Sequence, residues 1–70
     1  MRYAIVIEKT LANYAAYVPD LPGCVATGTT LEETETLIRE AMTFHIEGLQ
    51  TDGRPVPPSN SQVGYIEVSV

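Results

Sequence analysis

Few side chains in this sequence can do chemistry: one histidine (His45), one cysteine (Cys24) and scattered carboxylates. A histidine can serve as general base toward a hydroxyl or thiol held within hydrogen-bond reach. The sequence places no obvious Ser or Cys partner for His45, which falls near the middle of an apolar helical stripe and reads as a packed or hydrogen-bonded core residue. Thr34 lies on nearly the same stripe, but a threonine hydroxyl without an activating base is a poor nucleophile. Cys24, the only thiol, reads as a small buried hydrophobe. One Cys and one His cannot assemble a zinc set, and a lone cysteine closes no internal disulfide.

Clustered carboxylates would permit two-metal phosphodiester hydrolysis. Glu8 ends the first predicted strand, while Glu35, Glu40 and Glu47 ride a predicted helix. By helical angle Glu40 and Glu47 point away from the apolar stripe and Glu35 only flanks it, so these are solvated helix charges, and neither a metal nor a cofactor is expected. Thr27-Gly-Thr-Thr30 leads into the helix, whose N-terminus attracts anions, but Glu32, Glu33 and Glu35 in its first turns repel a phosphate. The four tyrosines are not interleaved with basic residues and make no stacking platform for single-stranded nucleic acid.

A helix and four short strands must position these groups. Arg2 to Glu8 alternates Tyr3, Ile5 and Ile7 with Ala4, Val6 and Glu8, a strand with two largely apolar faces that belongs inside a sheet. Lys9 to Asn13 makes a hairpin turn with Asn13 suited to a left-handed conformation, and Tyr14 to Val18 is the return strand. Cys24 to Thr29 is a third strand. Thr30-Leu-Glu-Glu33 is a capping box, in which the Thr30 hydroxyl accepts from the Glu33 amide and the Glu33 carboxylate reaches back. Leu31, Ile38, Ala41, Met42, His45 and Leu49 then share one helical stripe, widened by Leu37 and Ile46, and Gly53 with Pro55 stops the helix after about Gln50. Arg54 to Gln62 is a Pro-rich connection, and Val63 to Val70 alternates as a last strand with Ile66, Val68 and Val70 facing the core. The right-handed crossover rule then predicts an α+β fold of order β-β-β-α-β, with a mixed four-stranded sheet in spatial order 3-2-1-4 and one helix on one face.

Seventy residues make a single domain spanning 1–70. Such a chain buries only about 60% of its extended surface, and with Ala4 and Val6 on an uncovered sheet face it is expected to form a homo-oligomer, dimer or higher. Formal charge is −5, which opposes unaided nucleic-acid binding and suits a basic protein partner. No signal peptide or membrane-spanning run is recognisable, and a cytoplasmic protein is expected.

The most distinctive stretch is Tyr17-Val-Pro-Asp-Leu-Pro-Gly-Cys24. Pro19 and Pro22 bracket Asp20-Leu21, which can neither continue a ladder nor enter a helix, so the segment is a rigid shaped loop. This run, the preceding Tyr3-Ala-Ile-Val-Ile-Glu8 and Tyr14-Ala-Ala-Tyr17, the helix opening at Thr30 with His45-Ile-Glu-Gly-Leu49, and Asp52-Gly-Arg-Pro-Val-Pro57 together resemble the HicB-like antitoxins. The resemblance implies a partial ribonuclease H-like fold without a catalytic role and a HicA-like partner, a small basic RNA-cleaving toxin. Many relatives continue into a DNA-binding segment, which this sequence does not show after Val70, so direct DNA binding is not expected.

The leading expectation is thus a non-enzymatic antitoxin module that covers a toxin's RNA-cleaving site. A small metal-dependent nuclease of the ancestral fold and a solitary oligomeric scaffold without a toxin are the alternatives. Candidate partner-binding residues are Asp20 and Leu21 in the loop and an outward tyrosine of the second strand, Tyr14 or Tyr17. The alternative for the loop is that it only joins two strands and packs Leu21 on its own domain.

Overall fold

In a computed structural model that describes residues 1–70, the helix α1 (Leu31–Thr51) begins where the Thr30 cap requires. Thr30 is extended (φ −128°, ψ 163°) and its hydroxyl accepts from the Glu33 amide at 3.0 Å. The reciprocal half of the capping box is shifted by one residue. The Glu33 carboxylate accepts from the Thr29 amide at 2.8 Å and the Thr29 hydroxyl at 3.3 Å, so it also ties the preceding strand to the helix. The helix ends in a Schellman motif: the Arg54 amide donates to Leu49 O at 2.9 Å and the Gly53 amide to Gln50 O at 3.1 Å. Gly53 takes φ +68°, the left-handed value that the stop demands.

Three strands precede the helix: β1 (Val6–Lys9), β2 (Tyr14–Tyr17) and β3 (Val25–Gly28), paired antiparallel in the order β1-β2-β3. Each is shorter than the stretch its alternation predicts; β2 and β3 lie within theirs, while β1 starts four residues later than expected and runs one residue further, to Lys9. The Val18 amide faces β3 and donates to Cys24 O (3.2 Å), and the ladder of β1 with β2 closes at the Val6–Tyr17 pair because Pro19, the next position whose amide would face β1, has none to give. In the hairpin, Asn13 is not left-handed as expected. The Thr10 hydroxyl instead accepts from the Ala12 and Asn13 amides (3.3 and 3.0 Å) and pairs with the Asn13 side chain at 2.8 Å, closing the turn at negative φ.

The first three strands lie in the expected order 3-2-1, but the expected fourth strand does not form: Val63 to Val70 has no ladder partner, and the sheet has three antiparallel strands rather than a mixed four. The chain crosses from the helix end toward the first strand, where the Tyr3 hydroxyl donates to Pro57 O at 2.6 Å, and then passes β1 without bonding to it.

The core lies between α1 and the sheet and consists of Ala16, Val18, Leu21, Cys24 and Ile38, with Tyr3, Ile5, Ile7, Ala26, Ala41, Met42 and Ile46 packed around it. The helical stripe starts with Thr34 rather than Leu31: Thr34 is fully buried, whereas Leu31 and Leu37 are 41% and 36% exposed. Gly28 explains the choice. A Cβ there would stand 2.6 Å from Thr34 Oγ1 and 2.9 Å from the Thr34 amide nitrogen, so the bare glycine lets the first helical turn sit directly on β3.

Two stability measurements check this packing. Gly28→Ala forces the helix off β3 and is expected to cost about 1–3 kcal/mol, the range of overpacked cores; an unchanged denaturant midpoint would show that the close approach is absent. Ile38→Ala is expected to lose about 2–5 kcal/mol, and a loss well under 1 kcal/mol would place that side chain outside the core.

Candidate functional site

The loop between β2 and β3 is built from its own backbone. The Leu21 amide donates to Val18 O and the Cys24 amide to Leu21 O, both at 3.1 Å, and Gly23 adopts φ +85° to turn the chain into β3. These bonds drive Leu21 inward, and it is 0% exposed, among the most deeply buried side chains in the molecule. The expectation that Leu21 offers itself at the loop tip is corrected. Two prolines limit the loop's paths, and an apolar side chain with a core within reach is buried rather than left in water.

Asp20 beside it is occupied at long range. Its carboxylate accepts from the Asn60 amide at 2.9 Å, the Ser61 amide at 2.8 Å and the Ser61 hydroxyl at 2.8 Å. Backbone and side-chain hydrogen bonds from Ser61, with a smaller contribution from Asn60, hold the Asp20 pKa below its ordinary value of 3.8 against a partial desolvation. Nothing local in the sequence announces this clamp, because its partners lie 40 and 41 residues apart.

The two candidate tyrosines fall on opposite faces of β2. Tyr14 shares the helix-side face with Ala16, is half-buried, and stacks under Lys9 with Nζ 5.9 Å from the ring centre. Tyr17 faces the side that no helix covers and is 42% exposed. Strand register sets Val6, Tyr17 and Val25 in one row across that open face, with Val25 65% exposed. Val25 is a surface residue the sequence reading did not single out; its place opposite Tyr17 follows only from the register of β2 and β3.

The groups weighed for catalysis do not assemble. His45 is half-buried and lines a cleft with Cys24, but neither side chain makes a hydrogen bond, and burial pushes the Cys24 thiol pKa up, away from the thiolate a nucleophile needs. The Thr34 hydroxyl donates to Thr30 O at 2.7 Å and is occupied by the helix. Glu8, Glu35, Glu40 and Glu47 are all exposed, and no three His, Cys, Asp or Glu side chains converge where they could hold a metal.

The Asp20 clamp has a defined pH signature. A carboxylate whose folded pKa is depressed contributes stability above its unfolded pKa and loses it as pH falls through the folded one. The amide resonances of Asn60 and Ser61 are therefore expected to titrate together with a midpoint below 3.8, and Asp20→Asn to abolish the titration. A midpoint at or above that value would mean that the carboxylate does not hold the segment.

Comparison with known proteins matches this arrangement. The model of the HicB_like antitoxin of bacterial toxin-antitoxin system aligns with residues 3–69. The chain is 46% identical over 66 residues to a 14.9 kDa protein of Haemophilus phage HP1, covering 94% of this chain but 50% of that protein, so it spans half the length of this relative. It is 35% identical to the UPF0150 protein Ta0767 of Thermoplasma acidophilum, over 89% of this chain and 91% of the relative. A UPF0150 protein of Helicobacter pylori is 37% identical over 91% of this chain and 90% of its own length. Among solved structures, a chain of a HicA3 and HicB3 toxin-antitoxin complex superposes with a TM-score of 0.72 at 37% identity, covering 84% of this chain and 70% of that one. With a family match running through all three strands, the loop and the helix, this chain belongs to the HicB-like antitoxin family of bacterial toxin-antitoxin systems.

Proposed function

We propose that this chain is a non-enzymatic antitoxin that neutralises a small basic HicA-like, RNA-cleaving toxin by covering its active surface. The observation that carries the reading is the likeness to a chain of a solved toxin-antitoxin complex over 84% of this sequence. Two features of the molecule support it. A net charge of −5 steers a cationic partner toward the chain. The open sheet face presents an apolar row with an exposed tyrosine, the side chain enriched at interface hot spots.

Within that reading the toxin contacts the open face at Tyr17, together with Asp20 of the adjoining loop, whereas Tyr14, on the helix-side face, lies outside this contact. Leu21 contributes from inside, by keeping the loop in one shape and so lowering the ordering cost of docking. The protein acts in the cytoplasm as a homo-oligomer and makes no DNA contact through residues 1–70. The scattered carboxylates supply no metal cage and give the nuclease alternative no support.

The test is a titration against a small basic HicA-like toxin, taken from the adjacent reading frame, at low and high salt. Binding is expected to weaken with salt, and Tyr17→Ala to raise Kd about 30-fold, as for a hot-spot loss of about 2 kcal/mol. A Tyr17→Ala variant with unchanged affinity would remove the open face from the interface. Failure to bind at either salt would overturn the antitoxin reading in favour of the solitary scaffold.

A further inference from the structure

The segment from Val63 to Val70 is built like a strand but has nothing to pair with. It alternates Ile66, Val68 and Val70 with Tyr65, Glu67 and Ser69, and contains no Pro or Lys to protect it. In the single chain it is solvated on both faces, with Tyr65 94% and Ile66 89% exposed. An eight-residue segment with strand alternation whose apolar side chains lie in water is the feature of this chain that its own fold does not account for.

The same chain also exposes a complementary vacancy. The helix packs on β3 and β2 but makes no comparable contact with β1, so the helix-side face of β1 is only half covered. Between that strand and the helix runs an open groove of about 500 Å³, floored by Tyr3, Ile5, Ile38, Met42 and Ile46. The outer edge of β1 has no ladder partner, which leaves its amides and carbonyls free to accept a strand. A strand added there would send alternate side chains into the groove, and Ile66, Val68 and Val70 have the spacing and character to fill it.

The chain's own arm does not take this place. Ser61 is held at the loop by Asp20, and Val63 to Tyr65 lie near Ala4 to Ile7 without bonding to them or entering the groove. Beyond Tyr65 every residue of the arm is exposed, Val68 to 74%, in a molecule 49 Å long whose 21-residue helix spans about 31 Å.

We propose that the arm Val63–Val70 is exchanged between two copies of this chain, each arm adding a fourth strand to the β1 edge of the other and filling its groove. Exchange is reciprocal, so both copies use the same two surfaces and the assembly closes with two-fold symmetry. Reciprocity doubles the contact, since each copy both gives an arm and receives one on its β1 edge and groove floor, which brings the contact toward the size of a standard interface. The exchange uses neither Tyr17 nor the outer face of the sheet, and so stands or falls independently of toxin binding.

Light scattering of the full chain at micromolar concentration, together with cysteine cross-linking, tests this. The expected mass is twice 7.6 kDa or a whole multiple of that dimer. Ile66→Asp with Val68→Asp is expected to give a monomer with unchanged helical circular dichroism, because both side chains are solvated in the single chain. A mixture of Val68→Cys chains and Met42→Cys chains is expected to form a disulfide between chains on oxidation, whereas Cys24 is buried and stays reduced. A monomeric wild type, or a dimer that survives the double aspartate variant, overturns the proposal. So does a chain carrying both cysteines that links only to itself, which would mean that the arm folds back onto its own edge.

Discussion

The close approach of Thr34 to Gly28 decides how the rest of the molecule is arranged. Because a Cβ at position 28 would come within 2.6 Å of the Thr34 hydroxyl, only glycine allows the first helical turn to rest on β3. From that contact the helix runs over β3 and β2, with Ile38 as its deepest apolar side chain. One helix of 21 residues cannot cover three strands from this position, so β1 remains half open on the helix side. The small core and the incomplete edge are two consequences of a single close contact.

The loop from Val18 to Cys24 completes that core from below. Leu21 occupies the space that a short sheet cannot close by itself, which makes the rigid segment a plug rather than a display. Its neighbour Asp20 then acts in the opposite direction, gathering the Asn60 and Ser61 amides and fixing where the Pro-rich connection leaves the body. Two adjacent residues thus hold the interior and the exit of the chain. The departure of the arm from a fixed point, rather than from a slack tail, is what aims it past β1.

The surface divides into regions of different chemistry as a result. The outer sheet face carries a register-aligned row of Val6, Tyr17 and Val25, while the helix exposes glutamates and no metal-holding cluster. The β1 edge and its groove are apolar and unsatisfied in hydrogen bonding along the strand. The proposed toxin contact and the proposed strand exchange do not compete for surface, because one uses the open face of the sheet and the other its β1 edge and helix-side groove.

What the sequence alone determined is local. The Thr30 cap, the Gly53 stop and the approximate positions of three strands were readable, because capping, left-handed glycine and alternation act over a few residues, while the family was legible only through the resemblance of the Tyr17–Cys24 run and its companion segments. The burial of Ile38 and the exposure of Glu40 and Glu47 followed from helical periodicity for the same reason. Alternation also marked Val63 to Val70 as a strand, yet a strand exists only when another backbone bonds to it, and no pattern within the segment can supply one. Leu21 and Asp20 were legible as a rigid pair but not as a buried plug and a clamp. Whether a loop side chain points to water or to core, and whether a carboxylate finds amides 40 residues away, is decided by the packing of distant elements, and only the tertiary structure sets that.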